Sequence, residues 1–249
     1  MTSARDAVGA LRDEVCRANI ELWRRGLATF TFGNASAIDR SHGLIVIKPS
    51  GVPYADLRPE MLVVTDLGGR VVEGGGKLRP SSDLLTHVVL YRAFAQIGGV
   101  VHTHSHYATV WAQSRREIPC LGTTHADYFH GPVPITTHLE GAEIRADYEE
   151  NTGHAIVRRF ARLDPIRMPA VLVAGHASFC WGSSVGVAVD TASVLEEIAR
   201  LAYDTMTLNA AAEPIPSELL DKHFFRKHGP AAYYGQPPLE DAPATELRR

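Results

Sequence analysis

Two short apolar runs, Met61 to Thr65 and Arg70 to Val72, are separated only by Asp66-Leu67-Gly68-Gly69. A connection this short and glycine-rich reads as a hairpin, so these strands pair antiparallel. The stretch Glu73-Gly74-Gly75-Gly76-Lys77 continues it as a loop. Leu44 to Ile47 is a further strand, feeding the turn Lys48-Pro49-Ser50-Gly51. Later in the chain the pattern changes to single strands flanked by helices. That mixed order argues against a regular parallel-wound fold and for an α/β protein, a three-layer α/β/α sandwich around a central, mainly antiparallel sheet.

Helical spacing of Val8, Leu11, Val15, Ala18 and Leu22, with Gly26 behind them, predicts a helix over 5–25. Ser81-Ser82-Asp83 caps a helix beginning at Leu84, which Gly98-Gly99 ends. Val100-Val101 opens a strand, 106–114 is helical, 122–129 reads as a loop, and 140–163 is mostly helical. Ala170 to Ala174 is a strand, 175–184 is rich in turn residues, and helices follow over 185–211 and 217–228.

At 249 residues the chain can bury about 70% of its unfolded surface in one core. A single domain over 1–236 is therefore expected, with 237–249, proline-containing and aperiodic, as a disordered tail. The net charge of −3 offers no field for nucleic acid or an anionic membrane, so any anion must be held by a local site. Cys16, Cys120 and Cys180 are odd in number and widely spaced, which excludes a disulfide framework or a thiolate zinc cluster. No signal-peptide pattern or membrane-spanning run is present, and a cytoplasmic protein is expected.

Twelve histidines stand against those three cysteines. His102 and His104 are i and i+2 on a strand, so both imidazoles leave the same face. A bare H-x-H also occurs among ordinary buried histidines. His176, however, follows its own apolar strand in the same way, and three neutral imidazoles with an open position are the arrangement of catalytic zinc. His106 is a competing ligand one step further along. His42, His87, His130, His138 and His154 lie in contexts with no second ligand and read as surface or core residues.

Three small-residue clusters can cradle phosphate: Gly33-Asn34, Ser50-Gly51 and Ser81-Ser82, with Lys48 adding a charge. Each alone is equally an ordinary turn or cap. Neither G-x-x-x-x-G-K-[ST] nor G-x-G-x-x-G is present, so nucleotides are not suggested.

Several motifs together carry a family resemblance. Gly33-Asn34-Ala35-Ser36, Lys48-Pro49-Ser50-Gly51, Pro80-Ser81-Ser82-Asp83, His102-Thr103-His104-Ser105, Thr123-Thr124-His125-Ala126-Asp127, Leu220-Asp221-Lys222-His223 and Tyr233-Tyr234-Gly235-Gln236 span the chain from about residue 11 to 236. In this set the chain resembles the class II aldolase/epimerase family, and its epimerase branch in the Thr-Thr-His-Ala-Asp and Tyr-Tyr-Gly-Gln segments.

The resemblance implies one zinc ion per subunit on His102, His104 and His176. Asp83 matches an acidic position beside the metal that is a ligand in some relatives. Gly33, Asn34, Ser50, Gly51, Ser81 and Ser82 match the substrate-phosphate site. Asp127 and Tyr234 match the acid/base pair, the tyrosine reaching in from a neighbour in a cyclic homotetramer, and His223 and Glu149 lie close by. The implied activity is 4-epimerisation between L-ribulose 5-phosphate and D-xylulose 5-phosphate in pentose (arabinose) catabolism, by retro-aldol cleavage and re-formation of a carbon–carbon bond. The alternatives are a class II aldolase acting on a fuculose- or rhamnulose-phosphate-like sugar, or a metal-free adducin-like scaffold. One departure is His176-Ala177-Ser178-Phe179, where those epimerases have His-Gly-Pro-Phe.

Overall fold

The computed structural model describes residues 4–73, 77–229 and 232–234. The expected tail, 237–249, and the middle of the glycine loop, 74–76, lie outside the described residues. Helix α1 (Ala4–Arg24) leads into β1 (Asn34–Asp39), β2 (Leu44–Ile47), β3 (Val63–Asp66) and β4 (Val71–Glu73), a meander in which each strand pairs with the one before it. Then come α2 (Leu84–Ala93), β5 (Gly99–Thr103), α3 (His106–Ser114), α4 (Thr123–Ala126), α5 (Gly141–Arg145) and α6 (Tyr148–Arg159). The chain closes with β6 (Ala170–Leu172), β7 (Ser178–Gly182), α7 (Val185–Leu208) and α8 (Ser217–Lys227). The sheet has seven strands in the order β4-β3-β2-β1-β5-β7-β6, and all its pairings are antiparallel.

The central strands β1 and β5 set the site. Asn34 pairs with His102 and Ser36 with Val100, so these four side chains share one face. Trp181 of β7, opposite Val100, lies on that face too, and Phe94 and Phe160, which follow α2 and α6, pack on its indole. Helices α1 and α7 cover the other face. Where β2 ends at Ile47, Ala35 would lose its partner; Asn19 of α1 replaces the strand, accepting from the Ala35 N–H at 2.8 Å and donating to its carbonyl at 3.1 Å.

The sandwich is as expected, with three local differences. The turn-rich stretch after His176 contains β7, because Phe179, Cys180 and Trp181 are fully enclosed between neighbouring strands. The expected loop at 122–129 contains the short helix α4, and the expected long helix over 140–163 is two helices broken at Ala146 and Asp147. The three cysteines are free and buried, and no helix among the described residues is long and apolar enough to cross a membrane.

Candidate functional site

The site begins with a glycine. Gly33 sits at φ +81°, and a Cβ there would lie 2.7 Å from the carbonyl oxygen of His102, so only glycine lets the chain enter β1 this close to β5. The loop after β2 is tied to the loop before α2 by two backbone bonds, Ser50 N–H to the Arg79 carbonyl and Ser81 N–H to that of Lys48, each 2.9 Å. Asn34 Nδ2 then donates to Ser81 Oγ at 3.0 Å and to Asp83 Oδ2 at 2.7 Å. The three small-residue clusters are thereby brought into one cleft of about 310 Å³, lined also by Thr31, Phe32, Lys48, Asp83, His102, His104 and His176.

Lys48 is the cation of this cleft and is only 1% exposed. Its Nζ lies 3.3 Å from the Pro49 carbonyl and 4.8 Å from the centre of the Tyr54 ring, and among the described residues it has no carboxylate partner. Burial pushes its pKa down to about 8. A buried ammonium held only by dipoles, beside backbone amides and the start of α2, favours a bound anion.

The three histidines converge as expected, though β5 ends at Thr103 and His104 stands one residue beyond it. One ring nitrogen from each of His102, His104 and His176 lies within 4.8 Å of the others, and this set could hold a metal ion. His102 Nδ1–H donates to the Ser178 carbonyl at 2.9 Å, which fixes the tautomer and leaves Nε2 free to ligate. Its ring is stacked on Phe179. Burial, reinforced by mutual repulsion, pushes His104 and His176 down to about 4, so both are neutral and ready to bind metal at pH 7. This donor set fits a zinc-like cation. Asp83 shares the cleft without being one of the three. Burial raises its carboxyl, but His102, His87 and the Asn34 hydrogen bond outweigh this and hold it below the usual carboxylate range.

Asp127, His223 and Tyr234 do not line that cleft. They form a second cluster where α8 docks on α4. Arg226 grips Asp127 with two bonds, Nε to Oδ1 at 3.0 Å and Nη2 to Oδ2 at 2.7 Å. His223 Nδ1–H donates to Oδ1 at 3.0 Å, and Lys227 Nζ stands 3.7 Å from Oδ2. Burial raises the Asp127 carboxyl, but the hydrogen bonds from Arg226 and His223 and the charge of Lys227 prevail and hold it below the usual range. The Tyr234 ring covers both Arg226 and Lys227, and its N–H donates to the Arg226 carbonyl. Glu149 lies in the first turn of α6, where its carbonyl accepts from Thr86 Oγ1.

Several participants escaped the sequence. Ser178 acts through its carbonyl, so its identity gave no signal, and Arg226 is a basic residue in the last turn of α8 whose partner, Asp127, is 99 residues away. Phe32 is half exposed at the mouth of the cleft and faces His104.

Comparison with known proteins agrees with this geometry. Residues 13–203 match the model for the class II aldolase and adducin N-terminal domain. Two curated proteins, each an L-ribulose-5-phosphate 4-epimerase UlaF, from Salmonella paratyphi C (strain RKS4594) and Salmonella typhi, are 50% identical over 226 residues, 91% of this chain and 98% of theirs. Among solved structures, an L-fuculose 1-phosphate aldolase superposes with a TM-score of 0.74 at 23% identity, covering 91% of this chain and 97% of its own. That likeness shows a shared fold.

Proposed function

Because the chain belongs to the class II aldolase and adducin N-terminal domain family, and is half identical to curated epimerases along nearly its whole length, we propose that it is an L-ribulose-5-phosphate 4-epimerase. It is an isomerase interconverting L-ribulose 5-phosphate and D-xylulose 5-phosphate. The observation that carries the reading is the meeting of an anion cradle and an imidazole triad in one cleft.

The carbon to be inverted bears a hydroxyl and no acidic proton. With no nicotinamide motif to provide transient oxidation, the route left is to break the adjacent carbon–carbon bond and remake it on the other face. A zinc ion held by His102, His104 and His176 supplies Lewis-acid stabilisation of the negative charge that develops on substrate oxygens. Lys48, Ser50, Gly51, Ser81 and Ser82, with Gly33 and Asn34, hold the phosphate, so the aldehyde fragment can turn without leaving. Asp83, held by Asn34, orients the cleft's polar side and keeps a negative charge beside the imidazoles.

Two groups must exchange protons with the aldehyde oxygen, one from each face, and the Asp127 carboxylate and the Tyr234 phenol are chemically suited to this. Since both sit outside the cleft of their own chain, we infer that a neighbouring subunit of a cyclic tetramer brings them in. His223 and Arg226 share a face with Asp127 and would arrive with them.

The test is incubation of zinc-loaded protein with L-ribulose 5-phosphate, followed by NMR. D-xylulose 5-phosphate is expected. Absence of conversion by fully metallated protein would refute the reading, and net release of dihydroxyacetone phosphate or a free aldehyde would replace it with the aldolase reading.

A further inference from the structure

His87 has no part in the chemistry above, yet its surroundings are not those of an ordinary core histidine. The residue is fully buried, Nδ1 lies 2.7 Å from Ser36 Oγ, and Nε2 has no partner. The protons around it can be ordered. Tyr91 Oη donates to the Ser36 carbonyl at 2.9 Å, so its oxygen accepts from Ser36 Oγ–H at 2.8 Å. Ser36 Oγ in turn accepts Nδ1–H of His87. Burial keeps the imidazole neutral, which matches this arrangement.

A second contact joins the same two elements closer to the histidine triad, where Asn34 Nδ2 donates to Asp83 Oδ2 at 2.7 Å. Asn34 and Ser36 are i and i+2 on β1; Asp83 and His87 are i and i+4 at the start of α2. Two strand residues rise about 6.7 Å and four helical residues about 6.0 Å, so the two contacts are matched rungs between strand and helix. Asn34 is also the β1 partner of His102, which places the first rung beside the triad.

We propose that the Ser36–His87 rung, backed by Tyr91, is a positioning device for the metal centre. It sets the height and rotation of the first turn of α2 against β1, and so holds Asp83 and Ser81 in register with the imidazoles. His87 is a positioning residue that acts through Asp83. The inference rests on the reading of His102, His104 and His176 as a metal site.

The experiment measures zinc affinity by chelator competition, alongside thermal melts of the zinc-free proteins, for wild type, Ser36→Ala, His87→Leu, His87→Asn and the control Leu195→Ala. Leu195 is a buried core residue of α7, which packs on the opposite face of the sheet. Ser36→Ala and His87→Leu are expected to weaken zinc binding about 10-fold, at the low end of what loss of outer-shell support costs, because they act through the placement of Asp83 and not on a ligand. His87→Asn places an amide N–H near the former Nδ1 and should recover most of the affinity. Leu195→Ala should lower the melting temperature and leave affinity unchanged.

Wild-type affinity in folded Ser36→Ala and His87→Leu would overturn the inference while leaving the metal site intact. Equal weakening in Leu195→Ala would overturn it as well, by showing a general effect of stability. Failure of the wild-type protein to bind zinc would instead remove the metal reading, and the inference with it. If His87→Leu does not fold, Ser36→Ala, which deletes one oxygen, still decides the matter.

Discussion

The histidine cleft and the Asp127 cluster are both built for proton and charge chemistry, but different forces hold them. In the cleft, backbone and burial dominate: Gly33 lets β1 approach β5, the Ser178 carbonyl fixes the His102 tautomer, and desolvation keeps His104 and His176 neutral. At the cluster, charge dominates: one carboxylate is ringed by Arg226, His223 and Lys227 on a helix whose surface is largely exposed. The cleft is suited to receiving a cation and an anion within a fixed frame. The cluster is a paired surface that can be carried to a neighbour's cleft.

The sharpest way to break this comparison is to disable each region and ask what is lost with it. His102→Ala should abolish metal binding and lower epimerisation about 10⁴-fold, the loss of several kcal/mol of charge stabilisation. Asp127→Asn should cost about 10³-fold, as for a general acid or base, with metal content unchanged. Metal analysis beside turnover separates the two, and loss of zinc in Asp127→Asn would mean that the regions are not independent.

A smaller effect probes the frame alone. Gly33→Ala forces a positive φ on alanine and drives its Cβ into the His102 carbonyl, at a cost of about 2 kcal/mol. A melting temperature lower by about 6 °C is expected, with weaker zinc binding. An unchanged melt would show that the approach of β1 to β5 is looser than described.

A further effect, in acid, acts on the zinc-free fold. Burial holds His87 at about 3 and His125 at about 4 in the folded protein, against 6.5 when exposed. Their neutral burial contributes its full stability above pH 6.5, and this is lost as pH falls toward 4. Asp127, depressed below its ordinary 3.8, contributes above that value and is lost as pH falls through its lower folded value. Melts of zinc-free protein should therefore stay level from pH 6.5 to about 8, where the buried Lys48 titrates, and decline below pH 6.5 toward about 3, with loss of the α8 anchor adding at the acid end. Stability that rises on acidification from pH 6.5 would contradict both assignments.

The same division explains what could be read from the sequence. The H-x-H pair was legible because strand geometry converts a spacing of two into a shared face, and His176 because it follows an apolar strand. β1 was harder, since Asn34, Ala35, Ser36 and Ala37 have little strand preference of their own and become a strand because β2 and β5 enclose them. β7 was masked by its flanking glycines and serines. His87 read as bland because its role depends on Ser36, 51 residues away. Asp127 and Tyr234 carried no local signal, and only the family resemblance raised them above routine surface residues.

Mixing two inactive variants tests directly whether the two regions meet between subunits. His102→Ala and Asp127→Asn are each expected to be inactive alone. Subunits mixed and reassembled in equal amounts should regain about a quarter of wild-type activity, the share of interfaces at which an intact cleft meets an intact cluster. Mixtures as inactive as their parents, in oligomers shown to contain both chains, would place cleft and cluster in the same subunit's site and contradict the account.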